Sequence, residues 1–296
     1  MIINIDENSG FCWGVVRTVE IAEKTLSENH DGNVYILGEI IHNPKEVERL
    51  ERMGLKTINH EHLADLKGEN VKVLIRAHGE PPSTYQKAKE LGIELIDATC
   101  PLVTALQNRV KRFYDEGYQI VILGKPHHPE IIGLRGVCND ECVVIQSEEE
   151  ALEKVDFTRK TIFLSQTTMS KEKFHLIRQL LESKVKEIHS FENYKEQLVV
   201  KDTLCRAVIG REDNLRKFAQ ENDVVIFVAG RNSSNGKNLF GICCQANPNS
   251  YFIEEIAELK PEWFRGVQKV GITGATSTPR WYMEEVKKAI EQFASN

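Results

Sequence analysis

Val34-Tyr35-Ile36-Leu37-Gly38, Val121-Ile122-Leu123-Gly124 and Val225-Ile226-Phe227-Val228-Ala229-Gly230 are one pattern written three times. Each is an apolar run of strand length, rich in β-branched residues and closed by a glycine. Four positions beyond each glycine stand His42, His128 and Ser234. A second set repeats in the same order. Val71 to His78, Thr161 to Thr167 and Val270 to Ser277 are largely apolar runs ending in His, Thr or Ser, and each precedes a helical pattern (Tyr85 to Leu91, Lys171 to Leu181, Trp281 to Ile290). The cysteines Cys12, Cys100 and Cys205 lie 88 and 105 residues apart, against 86 and 106 for the three glycines. Self-similarity at a near-constant period decides architecture before any single motif does. It predicts three α/β lobes related by pseudo-threefold symmetry, with mainly parallel sheets, bringing three thiols and a ring of polar loops to one central point. The expected lobes are 1–100, with the N-terminal strand and Cys12; 101–200; and 201–296, with the C-terminal helix.

Composition narrows the class. A chain of 296 residues can hold two or three domains, and 41% apolar with 28% charged residues is the balance of a soluble globular protein. No apolar run approaches the roughly 18 residues of a membrane span. Met1-Ile2-Ile3-Asn4-Ile5-Asp6-Glu7 has no basic start and no cleavage pattern, so a strand is expected there rather than a signal peptide. A net charge of -6 argues against general nucleic-acid affinity. Seven cysteines without an export signal fit a reducing cytoplasm, where thiols bind metal or catalyse more often than they pair.

Strand-like runs alternate with helical ones (Glu20 to Leu26, Pro44 to Met53, Tyr85 to Leu91), the signature of parallel α/β sheets. Ligands of such sheets bind outside the carboxyl ends of the strands. Every polar motif here falls at such an end.

Each recurrent cysteine precedes a plausible helix start and has valine three residues later: Val15, Val103 and Val208. The free amides and dipole of a helix N-terminus favour thiolate. Three thiolates from distant segments can hold zinc or an iron–sulfur cluster; structural zinc usually takes four ligands, often in close pairs, and these three form none. Cys138 and Cys142 flank Asn139-Asp140-Glu141 and could form a weak metal pair, while Cys243 and Cys244 read as packed thiols. His42-Asn43-Pro44, His78-Gly79, His128-Pro129-Glu130, Gln166-Thr167-Thr168, Ser233-Ser234-Asn235 and Thr276-Ser277 place donors at helix N-termini, where anions bind. No nucleotide-binding glycine motif accompanies them, so a small phosphate or diphosphate fits best. Glu130 is the one carboxylate within these loops, placed to donate or relay a proton.

Gly10-Phe11-Cys12, Ile41-His42-Asn43, Ala77-His78-Gly79, Ala98-Thr99-Cys100-Pro101, His128-Pro129-Glu130, Gln166-Thr167-Thr168, Asn232-Ser233-Ser234-Asn235 and Ser277-Thr278-Pro279 together resemble the 4-hydroxy-3-methylbut-2-enyl diphosphate reductase family, in family order and spacing from Ile3 to Ile290. The resemblance implies a three-lobed monomer around a [4Fe–4S] cluster ligated by Cys12, Cys100 and Cys205, with one iron open to the substrate hydroxyl. It implies that His42, His78, His128, Thr167, Ser233, Ser234, Asn235 and Ser277 bind the substrate. Glu130 and Thr167 match the proton-delivery pair, and ferredoxin or flavodoxin would supply electrons. The products would be isopentenyl and dimethylallyl diphosphate. The chain departs from the family at Val208, where a threonine is usual. Two other classes share parts of this pattern: a quinolinate-synthase-like cluster dehydratase, which would prefer phosphate-free dicarboxylates, and a non-enzymatic metal-binding module, which would show no redox turnover.

Overall fold

Val121, Ile122 and Leu123 are buried without exception, as are Val225, Ile226 and Phe227. A strand buried on both faces reads as a continuous apolar run because helices cover its sheet on each side. The computed structural model describes residues 1–29 and 33–295. Its strands are β1 (Ile2–Ile5), β2 (Val34–Leu37), β3 (Lys56–Ile58), β4 (Lys72–Ile75), β5 (Glu94–Asp97), β6 (Gln119–Leu123), β7 (Cys142–Ile145), β8 (Thr161–Ser165), β9 (Leu198–Val200), β10 (Val224–Val228), β11 (Ser250–Ile253) and β12 (Lys269–Gly274). They form three four-stranded sheets, ordered β3-β2-β4-β5, β7-β6-β8-β9 and β11-β10-β12-β1. Pairing is parallel at β4–β5, β6–β7, β6–β8, β8–β9, β10–β11, β10–β12 and β1–β12.

The three orders are the same motif. β2, β6 and β10 correspond, then β3, β7 and β11, then β4, β8 and β12. The fourth place is taken by β5, β9 and β1, each of which leads into a cysteine loop. The N-terminal strand, expected in the first lobe, is therefore a strand of the third. Its register with β12 runs Ile3↔Val270, Asn4↔Gly271 and Ile5↔Ile272. Ile3 joins the core of Val224, Ile226, Val228, Val270 and Ile272, closed by Tyr282, Val286 and Ile290 of the helix Arg280–Ser295. Parallel pairing needs no short connection between partners. Nearness in sequence is thus no guide to which sheet β1 joins.

The chain divides into two compact units: Met1–Val34 with Glu39–Thr57 and Arg206–Asn296, and Tyr35–Gly38 with Ile58–Cys205. The first unit holds β1, β10, β11 and β12. Its other core layer joins Val225, Phe227 and Ala229 to Leu215, Leu239 and Cys243. The second unit holds β4 to β9. There one cluster joins Ile120, Ile122, Ile162 and Leu164 to Leu106, Val110, Ile131 and Leu134, and another gathers Leu37, Val73, Ile75 and Ala88. No helix among the described residues is long and apolar enough to cross a membrane.

Candidate functional site

The recurrent cysteines occupy one kind of seat. Cys12 and Cys100 are the N-cap residues of the helices Trp13–Glu28 and Pro101–Asp115, and neither helix receives a side-chain cap from its cysteine. Cys205 stands immediately before the helix Arg206–Ile209. Each cysteine amide donates to the carbonyl two residues past the end of its lobe's third strand: Cys100 N to Ala77 O at 3.0 Å, Cys205 N to Thr167 O at 2.8 Å and Cys12 N to Thr276 O at 3.0 Å. Upstream, an aspartate turns the chain by accepting from the amide two residues on. Asp97 accepts from Thr99 at 2.8 Å, Asp202 from Leu204 at 3.1 Å and Asp6 from Asn8 at 2.9 Å. All three cysteines are partly exposed. A thiol that is not sealed in the core, held beside a positive helix terminus, suits an anionic sulfur ligand. The donor set therefore fits a thiolate-ligated iron–sulfur group. By contrast, Cys138 and Cys243 are fully buried.

In the second unit the polar loops form a hydrogen-bonded chain. His128 is the N-cap of the helix Pro129–Gly136, and its Nδ1 accepts from the Glu130 amide at 3.2 Å. An accepting Nδ1 requires that a neutral ring carry its proton on Nε2. His78 meets His128 edge-on, with ring centroids 5.2 Å apart. Glu130, 1% exposed, accepts from both the Thr167 amide and the Thr167 hydroxyl at 2.7 Å. Burial pushes its pKa from an ordinary 4.5 up to about 6, against the opposing pull of the two Thr167 bonds. The Thr167 carbonyl in turn holds the Cys205 amide, so one threonine links the acid to a cysteine seat.

In the first unit Ser233 caps the helix Ser234–Ala246, its Oγ accepting from Gly236 N at 3.0 Å. Ser234 and Asn235 follow as the first helical residues, both buried. The Ser234 hydroxyl and the Asn235 Oδ1 are buried without a protein partner among the described residues. The other end of the Asn235 amide donates to Thr276 Oγ1 at 2.7 Å. A hydroxyl can donate as well as accept, so exchanging the amide's O and N would keep that bond and turn NH₂ toward an anion. Ser277 Oγ donates to the His42 carbonyl at 3.4 Å, and the His42 ring lies 3.4 Å from Glu39. A β-carbon at Gly230 would come within 2.3 Å of the same carbonyl, so the two loops pack backbone to backbone.

The structure thus places Cys12, His42, Ser233, Ser234, Asn235 and Ser277 in one unit, and His78, Cys100, His128, Glu130, Thr167 and Cys205 in the other. Val208 is buried within its short helix. Several supporting residues escape a reading of motifs alone. Asp97 and Asp202 each stand three residues before a cysteine, a spacing that could have marked them; Asp6 stands six before and is hidden. Arg211 Nη1 donates to the Gly10 carbonyl at 2.8 Å, where Gly10 has φ +107°, and so ties down the Cys12 loop. Nothing local announces that bond.

A profile of the LytB protein family matches residues 3–291. The chain is similar to the 4-hydroxy-3-methylbut-2-enyl diphosphate reductase of Chloroherpeton thalassium, 48% identical over 98% of this chain and 96% of that protein. It is similar to the protein of that name from Phocaeicola vulgatus, 47% identical over 97% of this chain and 98% of that one. Among solved structures it resembles an (E)-4-hydroxy-3-methyl-but-2-enyl diphosphate reductase described as the terminal enzyme of the non-mevalonate pathway. That match is 38% identical, with a TM-score of 0.69, over 99% of this chain and 100% of that one. It also resembles the E-1-hydroxy-2-methyl-but-2-enyl-4-diphosphate reductase from Plasmodium falciparum, 27% identical with a TM-score of 0.83, over 97% of this chain and 87% of that one.

Proposed function

This chain belongs to the LytB protein family and is an oxidoreductase of the 4-hydroxy-3-methylbut-2-enyl diphosphate reductase type, and from that premise we propose the finer parts of its reaction. The substrate is 4-hydroxy-3-methylbut-2-enyl diphosphate. Two electrons and two protons remove its hydroxyl as water and yield isopentenyl and dimethylallyl diphosphate. Cys12, Cys100 and Cys205 would hold a [4Fe–4S] cluster, which when bound supplies electrons and a Lewis-acid contact to the leaving oxygen. The observation that carries this reading is the threefold cysteine seat: same helix start, same amide-to-carbonyl bond, same aspartate turn.

The chain's own residues do the rest. Ser234, Asn235 and Ser277, with the histidines His42, His78 and His128, offer donors to the diphosphate, and Ser233 shapes the helix start that presents them. Glu130 is the proton source. With Glu130 ionised, the Thr167 hydroxyl donates to it. With Glu130 protonated, that bond can reverse, freeing the Thr167 proton for the leaving oxygen. A carboxyl lifted to about 6 holds its proton closer to neutrality than an ordinary glutamate does. Ferredoxin or flavodoxin would deliver electrons to a cytoplasmic monomer.

Anaerobic iron and sulfide analysis, the visible spectrum and turnover with a chemical reductant test the proposal together. Cys12→Ser, Cys100→Ser and Cys205→Ser should each lose the cluster and turnover, while Cys244→Ser keeps both. A Cys100→Ser protein with full iron and full activity would overturn the ligand set.

A further inference from the structure

Cys138 and Cys142 lie outside the proposed chemistry, yet the fold brings them together deliberately. Cys138 follows the helix Pro129–Gly136, and Cys142 opens β7, an edge strand of its sheet. Between them the chain reverses in one tight turn, with Glu141 N donating to Cys138 O at 2.8 Å. The central residues Asn139 and Asp140 have φ of +52° and +62°, the pattern of a type I′ turn. Asn and Asp are the non-glycine residues that best tolerate this left-handed region. The turn is braced from three sides. Arg135 Nε bonds Asp140 at 2.9 Å, Asp140 N donates to Arg135 O at 2.9 Å, and the Tyr114 hydroxyl donates to Glu141 at 3.0 Å while accepting from Asn139 at 3.3 Å. Both cysteines pack in one apolar cluster, and the Cys138 thiol lies 3.4 Å from the Leu134 carbonyl and 3.3 Å from the Arg135 carbonyl, to which it can donate.

We propose that Cys138 and Cys142 form a reversible intramolecular disulfide by exchange with a small-molecule disulfide such as oxidised glutathione. The two sulfurs differ in the way such a pair requires. Cys142 is partly exposed, whereas Cys138 is sealed in the core. The neighbouring Cys138 thiol, and after it the charge of Arg135, favour the Cys142 thiolate; the neighbouring Cys142, with burial, keeps the proton on Cys138. Cys142 thiolate attacks one sulfur of the oxidised glutathione, breaking its S–S bond and releasing one glutathione, which takes up a proton. The resulting mixed disulfide sits beside Cys138. Cys138, deprotonating as it attacks, forms a bond to Cys142 Sγ and expels the second glutathione, which takes that proton. The pair loses two electrons and two protons, and one oxidised glutathione becomes two reduced ones.

The nearest basic residues bracketing the pair are Arg135 and Lys154, so trypsin leaves both cysteines, and no others, in the peptide 136–154. The full chain with its cluster is equilibrated anaerobically in glutathione buffers of increasing oxidised fraction, acid-quenched, alkylated and digested. The wild-type peptide should become lighter by two hydrogens and take up no alkyl groups. In Cys138→Ser, or Cys138→Ala should serine disturb the core, a glutathione adduct should accumulate at Cys142. In Cys142→Ser, Cys138 should remain an alkylatable thiol. A wild-type peptide alkylated twice at the most oxidising ratio overturns the proposal. So does a disulfide from either residue to any other cysteine, or an adduct that accumulates on Cys138 in Cys142→Ser.

Discussion

Glu130 is legible in the sequence as an acid in a polar loop; its strength as an acid is not. Desolvation raises its pKa to about 6, and the folded-state value exceeds the ordinary 4.5. The linkage therefore has a definite sign: the favourable contribution is complete below pH 4.5 and is lost as pH rises through 6. The difference corresponds to about 2 kcal/mol. Glu130→Gln cannot titrate, so its stability relative to wild type should rise between pH 4.5 and 6.5 and then level off, as denaturant unfolding at several pH values would register. A flat difference would contradict the buried carboxyl. In anaerobic kinetics the same variant should bind the diphosphate but lose about 10²- to 10⁴-fold in turnover, the usual contribution of a general acid. It should also lose the pH-dependent limb near 6. Ser234 offers a cleaner separation of binding from folding. Its hydroxyl has no protein partner among the described residues. Ser234→Ala should leave the midpoint of unfolding within the ordinary surface-like range, yet weaken diphosphate binding by about 1–3 kcal/mol. Unchanged affinity by calorimetry would remove Ser234 from the anion site.

At the scale of elements, the loops after β2 and β10 are positioned by a missing side chain. Gly230 lies where a β-carbon would approach the His42 carbonyl to 2.3 Å, and a backbone atom cannot swing aside as a long side chain can. Gly230→Ala should cost about 1–3 kcal/mol of stability and weaken diphosphate binding, although it removes no donor. Gly241, inside the helix Ser234–Ala246, has open space at the same place. Gly241→Ala should instead stabilise by about 0.5–1 kcal/mol, the helix preference for alanine. Thermal unfolding of the two variants side by side decides the matter; equal effects would mean that the close approach does not constrain the loop. The helix starts themselves were readable, because Pro44, Pro101 and Pro129 stand where proline is tolerated. The carbonyls that receive the cysteine amides were not, since Ala77, Thr167 and Thr276 differ in side chain and share only a backbone position.

For the whole molecule, the N-terminal strand has the largest consequence. It completes the third sheet and carries Cys12 beyond its end, so the loss of one strand pairing affects both the core and a cysteine seat. Ile3 is 9% exposed and Ile2 58%, and they point to opposite faces of the same strand. Ile3→Asp should cost about 3 kcal/mol or more by placing an unpaired carboxylate in the core, and should diminish iron retention along with stability. Ile2→Asp should be close to neutral. If both variants unfolded at the same denaturant concentration, β1 would not be a working member of that sheet.

The sequence by itself determined the class of fold, the three-times-written strand and loop pattern, and the identity of nearly every polar side chain in the loops. Those signals are local: apolar runs set strands, and spacing sets repeats. Tertiary structure decided what local signals cannot carry. It moved β1 from the first lobe to the third, because parallel pairing joins strands regardless of their separation along the chain. It joined Glu130 to Thr167 and set that carboxyl's affinity for protons, because burial raises its pKa while the bonds from a residue 37 positions away hold it down. It also brought Cys138 and Cys142 into one cluster, because the tight turn at Asn139 and Asp140, both at positive φ, returns the chain between them.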